Sequence, residues 1–75
     1  MKDMTTLQKR LHCLRWEKGI KIQDLAKQVG VSASAISGYE TGRRTPSVDV
    51  LHKIAKALGV TVDFFLGDEQ HEHAG

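Results

Sequence analysis

All 11 Lys and Arg residues of this 75-residue chain lie before position 57. They share that stretch with five acids, Asp3, Glu17, Asp24, Glu40 and Asp49, so residues 1–56 carry a net charge of +6. Residues 57–75 hold four acids, Asp63, Asp68, Glu69 and Glu72, and no Lys or Arg, a net −4 that brings the chain to +2. A basic body attracts a polyanion, and an acidic end is repelled by one. The chemistry this division supports is electrostatic binding rather than bond making. The sequence holds no Gly-rich phosphate loop, no metal-ligand spacing on a helix and no convergent acid–base pair, so neither an enzyme nor a cofactor is expected. His71 and His73, with Glu69 and Glu72, are ligand types, but a tail with nothing to fix their geometry is not expected to hold a metal. Cys13 is the only cysteine, which rules out an intrachain disulfide and fits a reducing compartment. It reads as a half-exposed helix residue, with neighbouring His12 pointing to another face. No apolar run approaches 18 residues, so no membrane association is expected, and the expected location is cytoplasmic.

The elements that must position the charges read as five short helices, with no convincing strand. Thr5 to Gln8 forms a T-x-x-Q capping box, followed by Leu7, Leu11 and Leu14 at helical spacing until Gly19. Ile22, Leu25, Ala26 and Val29 repeat at i, i+3, i+4 and i+7, and Gly30 is the expected left-handed stop. Ser32 then caps a third helix that turns Ile36 and Tyr39 inward and ends at Gly42. Pro46 and Ser47 open a fourth, with Leu51, Ile54, Ala55 and Leu58 on one face before Gly59. Thr61 caps a fifth, "VDFFL", with Asp63 in its first turn; Asp24 and Asp49 sit in the first turns of the second and fourth, where an anion complements the helix dipole. A chain of this length buries only about 60% of its unfolded surface, so the helices must share one interior. The link between helices two and three is only Gly30-Val31-Ser32, which predicts a steep crossing, as in a helix-turn-helix. The reading is therefore an all-α compact bundle.

Within that frame, "RLHCLRWEKGI…DLAKQVGVS…IS.YE.GRR.PS…L.KIAKALGV…FFLG" resembles the phage-repressor and Cro-like helix-turn-helix family, also called the XRE family. The resemblance covers roughly residues 7–67 and implies a lambda-repressor-like domain over 1–67, with 68–75 a flexible polar tail or the start of a linker. It implies that Arg15 and Glu40 form a structural salt bridge between the first helix and the end of the third. It also implies sequence-specific or shape-reading binding of double-stranded DNA by a transcriptional regulator, a repressor of bacterial or phage origin acting as a homodimer at the nucleoid. A regulatory protein is a further expected kind of partner. The alternative is a helix-turn-helix frame used as a protein–protein interaction module, of anti-repressor or antitoxin type.

Carried across residue by residue, the family's base or groove contacts fall on Ala33, Ser34, Ala35, Ser37 and Gly38, in a helix lying in the major groove. Its phosphate side falls on Lys21, Ile22, Thr41, Arg43 and Arg44. Two residues depart from the pattern: the family commonly carries Gln where Ile22 stands, and a cap-forming Ser, Thr or Asn at Lys21. Bidentate Arg–guanine or Gln–adenine pairs discriminate bases by about 1–3 kcal/mol each, and none can be made from 33, 34, 37 or 38. The alanine methyls are left for thymine methyls, the serine hydroxyls for either donors or acceptors, and Gly38 for close approach to the groove floor. Specificity is then expected to lean on DNA shape and half-site spacing. On the remaining surface, Trp16 reads as a partly buried cover on the first helix. Phe64, Phe65 and Leu66 cannot all face inward from one short helix, and Val62 and Phe65 are the expected dimer contacts.

Overall fold

Leu25, Ala26 and Val29 recur at the spacing that puts them on one side of a helix, and in the computed structural model all three are buried. The structure describes residues 5–67. Over them the chain forms α1 (Thr5–Lys18), α2 (Ile22–Val29), α3 (Ala33–Thr41), α4 (Val48–Leu58) and α5 (Val62–Leu66), with no strand among the described residues. The tail from residue 68, with its histidines and acids, lies outside the described residues, as does the Thr5 side chain of the expected capping box.

One interior serves all five helices. Leu11 from α1, Leu25 from α2, Ile36 from α3, Ile54 and Leu58 from α4 and Phe65 from α5 each have less than 2% of their surface exposed. Burying a side chain of this size contributes about 1.5–3 kcal/mol. Helix α1 packs on α3, α4 and α5, and α2 on α3 and α4, so the helix-turn-helix pair is backed on both sides. No helix among the described residues is long and apolar enough to cross a membrane.

Local chemistry sets the helix ends. Ser32 Oγ accepts from the Ala35 N–H at 3.0 Å, Ser47 Oγ from Val50 at 3.2 Å and Thr61 Oγ1 from Phe64 at 3.2 Å. Each satisfies one of the donors that a helix start leaves unpaired. At the turn between α2 and α3 the chain reverses through Gly30 at φ 87°, a left-handed conformation open to glycine at little cost. The N–H groups of Gly30 and Val31 both return to the Ala26 carbonyl, at 2.8 and 3.1 Å, and half-buried Val31 packs against the core. That closed turn holds the crossing of the two helices.

Two expectations about the surface are corrected. Phe65 is fully buried, so it is a core residue and not a dimer contact. Phe64 is also held, edge-on to Phe65 at 5.4 Å between centroids, under the Arg10 guanidinium at 4.9 Å from its ring, and its carbonyl accepts from Arg10 Nη1 at 2.7 Å. The apolar residue left outside is Leu66, 54% exposed, because α5 turns both aromatics toward α1 and the core. Trp16 is 67% exposed and covers little; its one ring neighbour among the described residues is His12, at 6.2 Å between centroids.

Candidate nucleic-acid interface

Ser34, Ser37 and Thr41 are spaced i, i+3 and i+7, which at about 100° per residue makes one stripe along α3. All three are exposed, and Ala33 extends the surface at the N-terminal end. The opposite side of α3, made by Ala35, Ile36 and Tyr39, is the core face. This separates the five residues assigned to base or groove contact. Ala33, Ser34 and Ser37 lie on the open surface. Ala35, 4% exposed, and Gly38, also buried, do not, and both are withdrawn from that role. Ala35 faces inward between the core elements, and Gly38 is covered by Arg44: a Cβ built on it would meet Arg44 Cγ at 2.9 Å.

Three exposed cations lie on the turn before α2 and the loop after α3. Lys21 is the residue before α2, in extended conformation, and its side chain makes no cap hydrogen bond, so the first N–H groups of α2 have no side-chain acceptor there. Ile22, next to it, is half-buried with its side chain packed against the core. Arg43 and Arg44, in the loop after α3, are both exposed and have no acidic partner among the described residues. The planar fork of a guanidinium matches two oxygens of a phosphate, so an uncompensated pair of them at a helix end suits such an anion.

On the other edge of α3, Arg15 meets Glu40. Arg15 Nε lies 2.6 Å from Glu40 Oε2, Nη2 donates to Oε1 at 3.1 Å, and Nη1 donates to the Ile20 carbonyl at 2.8 Å. The two side chains are 12% and 7% exposed. Arg15 is thus committed to joining α1, the α1–α2 turn and α3, with little left for an outside anion. His12 Nδ1 makes a third contact to Glu40, 3.0 Å from its Oε1. Sequence reasoning missed His12, although it lies three residues before Arg15 and so shares its face of α1. Burial pushes the Glu40 carboxyl up, but hydrogen bonds and charge from Arg15 and His12 outweigh it and hold the group below its usual value. No group of His, Cys, Asp and Glu among the described residues could hold a metal ion.

Comparison with known proteins places this geometry. The family model described as helix-turn-helix matches residues 13–65. The HTH-type transcriptional regulator SinR of Bacillus subtilis is 39% identical over 64 residues, which are 84% of this chain and 57% of SinR. A crystal structure of SinR, a master regulator for biofilm formation, in complex with DNA has a TM-score of 0.75 at 34% identity, covering 80% of this chain and 97% of that one. The restriction-modification controller protein C.AhdI of Aeromonas hydrophila has a TM-score of 0.80 at 31% identity, covering 87% of this chain and 98% of that one. The HTH-type transcriptional regulator DdrOP3 of Deinococcus deserti is 38% identical over 53 residues, 71% of this chain and 41% of that protein. The chain therefore spans about two fifths of DdrOP3 and a little over half of SinR. These relatives are named as regulators rather than enzymes. By the matched family model and by these likenesses, the chain belongs to the helix-turn-helix family of phage-repressor and Cro-like (XRE) type.

Proposed function

We propose that this chain binds double-stranded DNA as a transcriptional regulator, seating the exposed stripe of α3 in the major groove. The observation that carries the reading is the exposure of Lys21, Arg43 and Arg44, cations on the turn before α2 and the loop after α3, together with the exposed, uncharged stripe of Ser34, Ser37 and Thr41 on α3. Half or more of the hydrogen bonds in such complexes go to phosphate and sugar, and these set register rather than sequence. Ser34 and Ser37 supply hydroxyls and Ala33 a methyl, so base-edge pairing is weak, and shape and half-site spacing supply most of the discrimination.

The acting form is a homodimer on a two-fold related site. Its contact is assigned to the α5 end, where Val62 is half-buried and Leu66 exposed. The mode of regulation is repression, since a bound domain blocks DNA by occupancy alone, and the setting is the cytoplasm, at the nucleoid. A regulatory protein partner remains compatible with this reading. The alternative of a module that binds only proteins is not favoured: the relatives are named as regulators, and one was solved with DNA.

The test is an NMR titration with random-sequence duplex DNA at low and then raised salt. Shifts confined to the region from Lys21 to Arg44, fading with salt, support the reading. Shifts elsewhere, or none, sink it.

A further inference from the structure

We infer that Gly38 is a positioning residue for Arg44, so that Arg44 is a pre-placed anion anchor while its neighbour Arg43 is a free one. This rests on the DNA-binding reading and deepens it by separating two adjacent arginines into different roles.

By its place on α3, Gly38 lies on the flank between the exposed stripe and the core face, next to the stripe. It is nevertheless buried, and what covers it is the aliphatic stem of Arg44. A Cβ at Gly38 would come within 2.9 Å of Arg44 Cγ, 3.1 Å of Cδ and 3.2 Å of Cβ. The crowded atoms include the root of the side chain, so the stem could not clear a methyl by swinging its far end alone. The backbone is docked at the same place. The Arg44 N–H donates to the Gly38 carbonyl at 3.2 Å, and Thr41 Oγ1 donates to it at 3.3 Å. That carbonyl is one of the last four of α3, which have no backbone N–H partner within the helix.

The consequence is a guanidinium that starts from the edge of the exposed stripe. A long side chain gives up rotamer freedom when it binds, and Arg44 has surrendered part of that freedom in the free protein. Arg43 is exposed and is not among the atoms that cover Gly38. Glycine is a poor helix residue, and Gly38→Ala on a bare helix would strengthen it. Here the notch at Gly38 is what lets the Arg44 stem lie down.

The test is a double-mutant cycle on affinity for a random-sequence duplex at low salt, read by fluorescence anisotropy, with thermal melting of each variant. Arg44→Ala is expected to weaken binding by about threefold to tenfold for each copy engaged, the scale of one lost phosphate contact per copy. Gly38→Ala alone should reproduce most of that loss, yet weaken binding by less than about twofold when Arg44 is already Ala. Added to Arg43→Ala, it should act with its full wild-type effect. If Gly38→Ala leaves affinity intact while Arg44→Ala lowers it, the positioning role is overturned and the DNA reading stands. If Gly38→Ala costs the same in both backgrounds, Gly38 acts on DNA directly and the role is again overturned. If neither arginine matters, the phosphate assignment itself has failed. Should Gly38→Ala not fold, the unmodified protein still decides: the Arg44 Nε–H should be more ordered than that of Arg43 in nitrogen relaxation, and equal order overturns the inference.

Discussion

Arg15 and Glu40 meet across α1 and α3 through two hydrogen bonds, the shorter 2.6 Å, with both side chains almost out of solvent. Removing one partner of such a pair leaves the other charge buried and unpaired, at a cost of about 3–5 kcal/mol. A domain has only about 5–15 kcal/mol of stability in total. Glu40→Ala should therefore lose about 3 kcal/mol in urea denaturation. Replacing both, as Arg15→Met with Glu40→Leu, should recover much of that loss. A double variant less stable than Glu40→Ala would show that the pair does more than orient two helices.

The same carboxylate sets a pH dependence. Glu40 is held below its usual value because contacts with Arg15 and His12 outweigh its burial. A group whose value is lower in the folded than in the unfolded state stabilises the fold above its unfolded value, about 4.3 for glutamate. That contribution is lost as pH falls through the lower folded value. Stability should thus decline in acid below about pH 4. Glu40→Gln should show a shallower decline over that window; equal slopes would remove Glu40 as a contributor.

At the α5 end, two adjacent residues should behave in opposite ways. Phe65 is fully buried and Leu66 is 54% exposed. Phe65→Ala should cost about 3–5 kcal/mol by opening a cavity. Leu66→Ala should stay within about 0.5 kcal/mol in dilute protein, as surface changes do. If sedimentation finds a dimer, Leu66→Ala should weaken it. A Phe65→Ala protein of wild-type stability would contradict the packing described above.

The salt dependence of DNA binding is the fourth expectation. Lys21, Arg43 and Arg44 on each of two copies would engage about six phosphates, a log–log slope near −5. Changing Arg43 and Arg44 together to Ala should flatten that slope by up to about 4 in the dimer, and weaken binding to all sequences alike. An unchanged slope would take both residues out of the interface.

The helices themselves were readable because the forces that define them act within a few residues. The caps at Ser32, Ser47 and Thr61 reach only three residues ahead, and each is where its side-chain type and position put it. The buried faces of α2 and α4 follow from a repeat in which every member is apolar. Helix α3 was harder. Small residues occur on every side of it, so hydrophobic contrast could not tell Ala33, which is exposed, from Ala35, which is buried.

Sequence by itself determined the number of helices, their ends, the three-residue turn and the distribution of charge, because capping, helical period and glycine conformation are local. Tertiary structure alone decided which small residues of "VSASAISGYETGRR" face outward, because that depends on what lies over the helix. Arg44 folds back six residues to cover Gly38, and α5 turns Phe65 in and Leu66 out. It likewise brought His12 to Glu40, 28 residues away, through the packing of α1 on α3. No rule of spacing along a chain contains those distances; they arise only once the helices close around one interior.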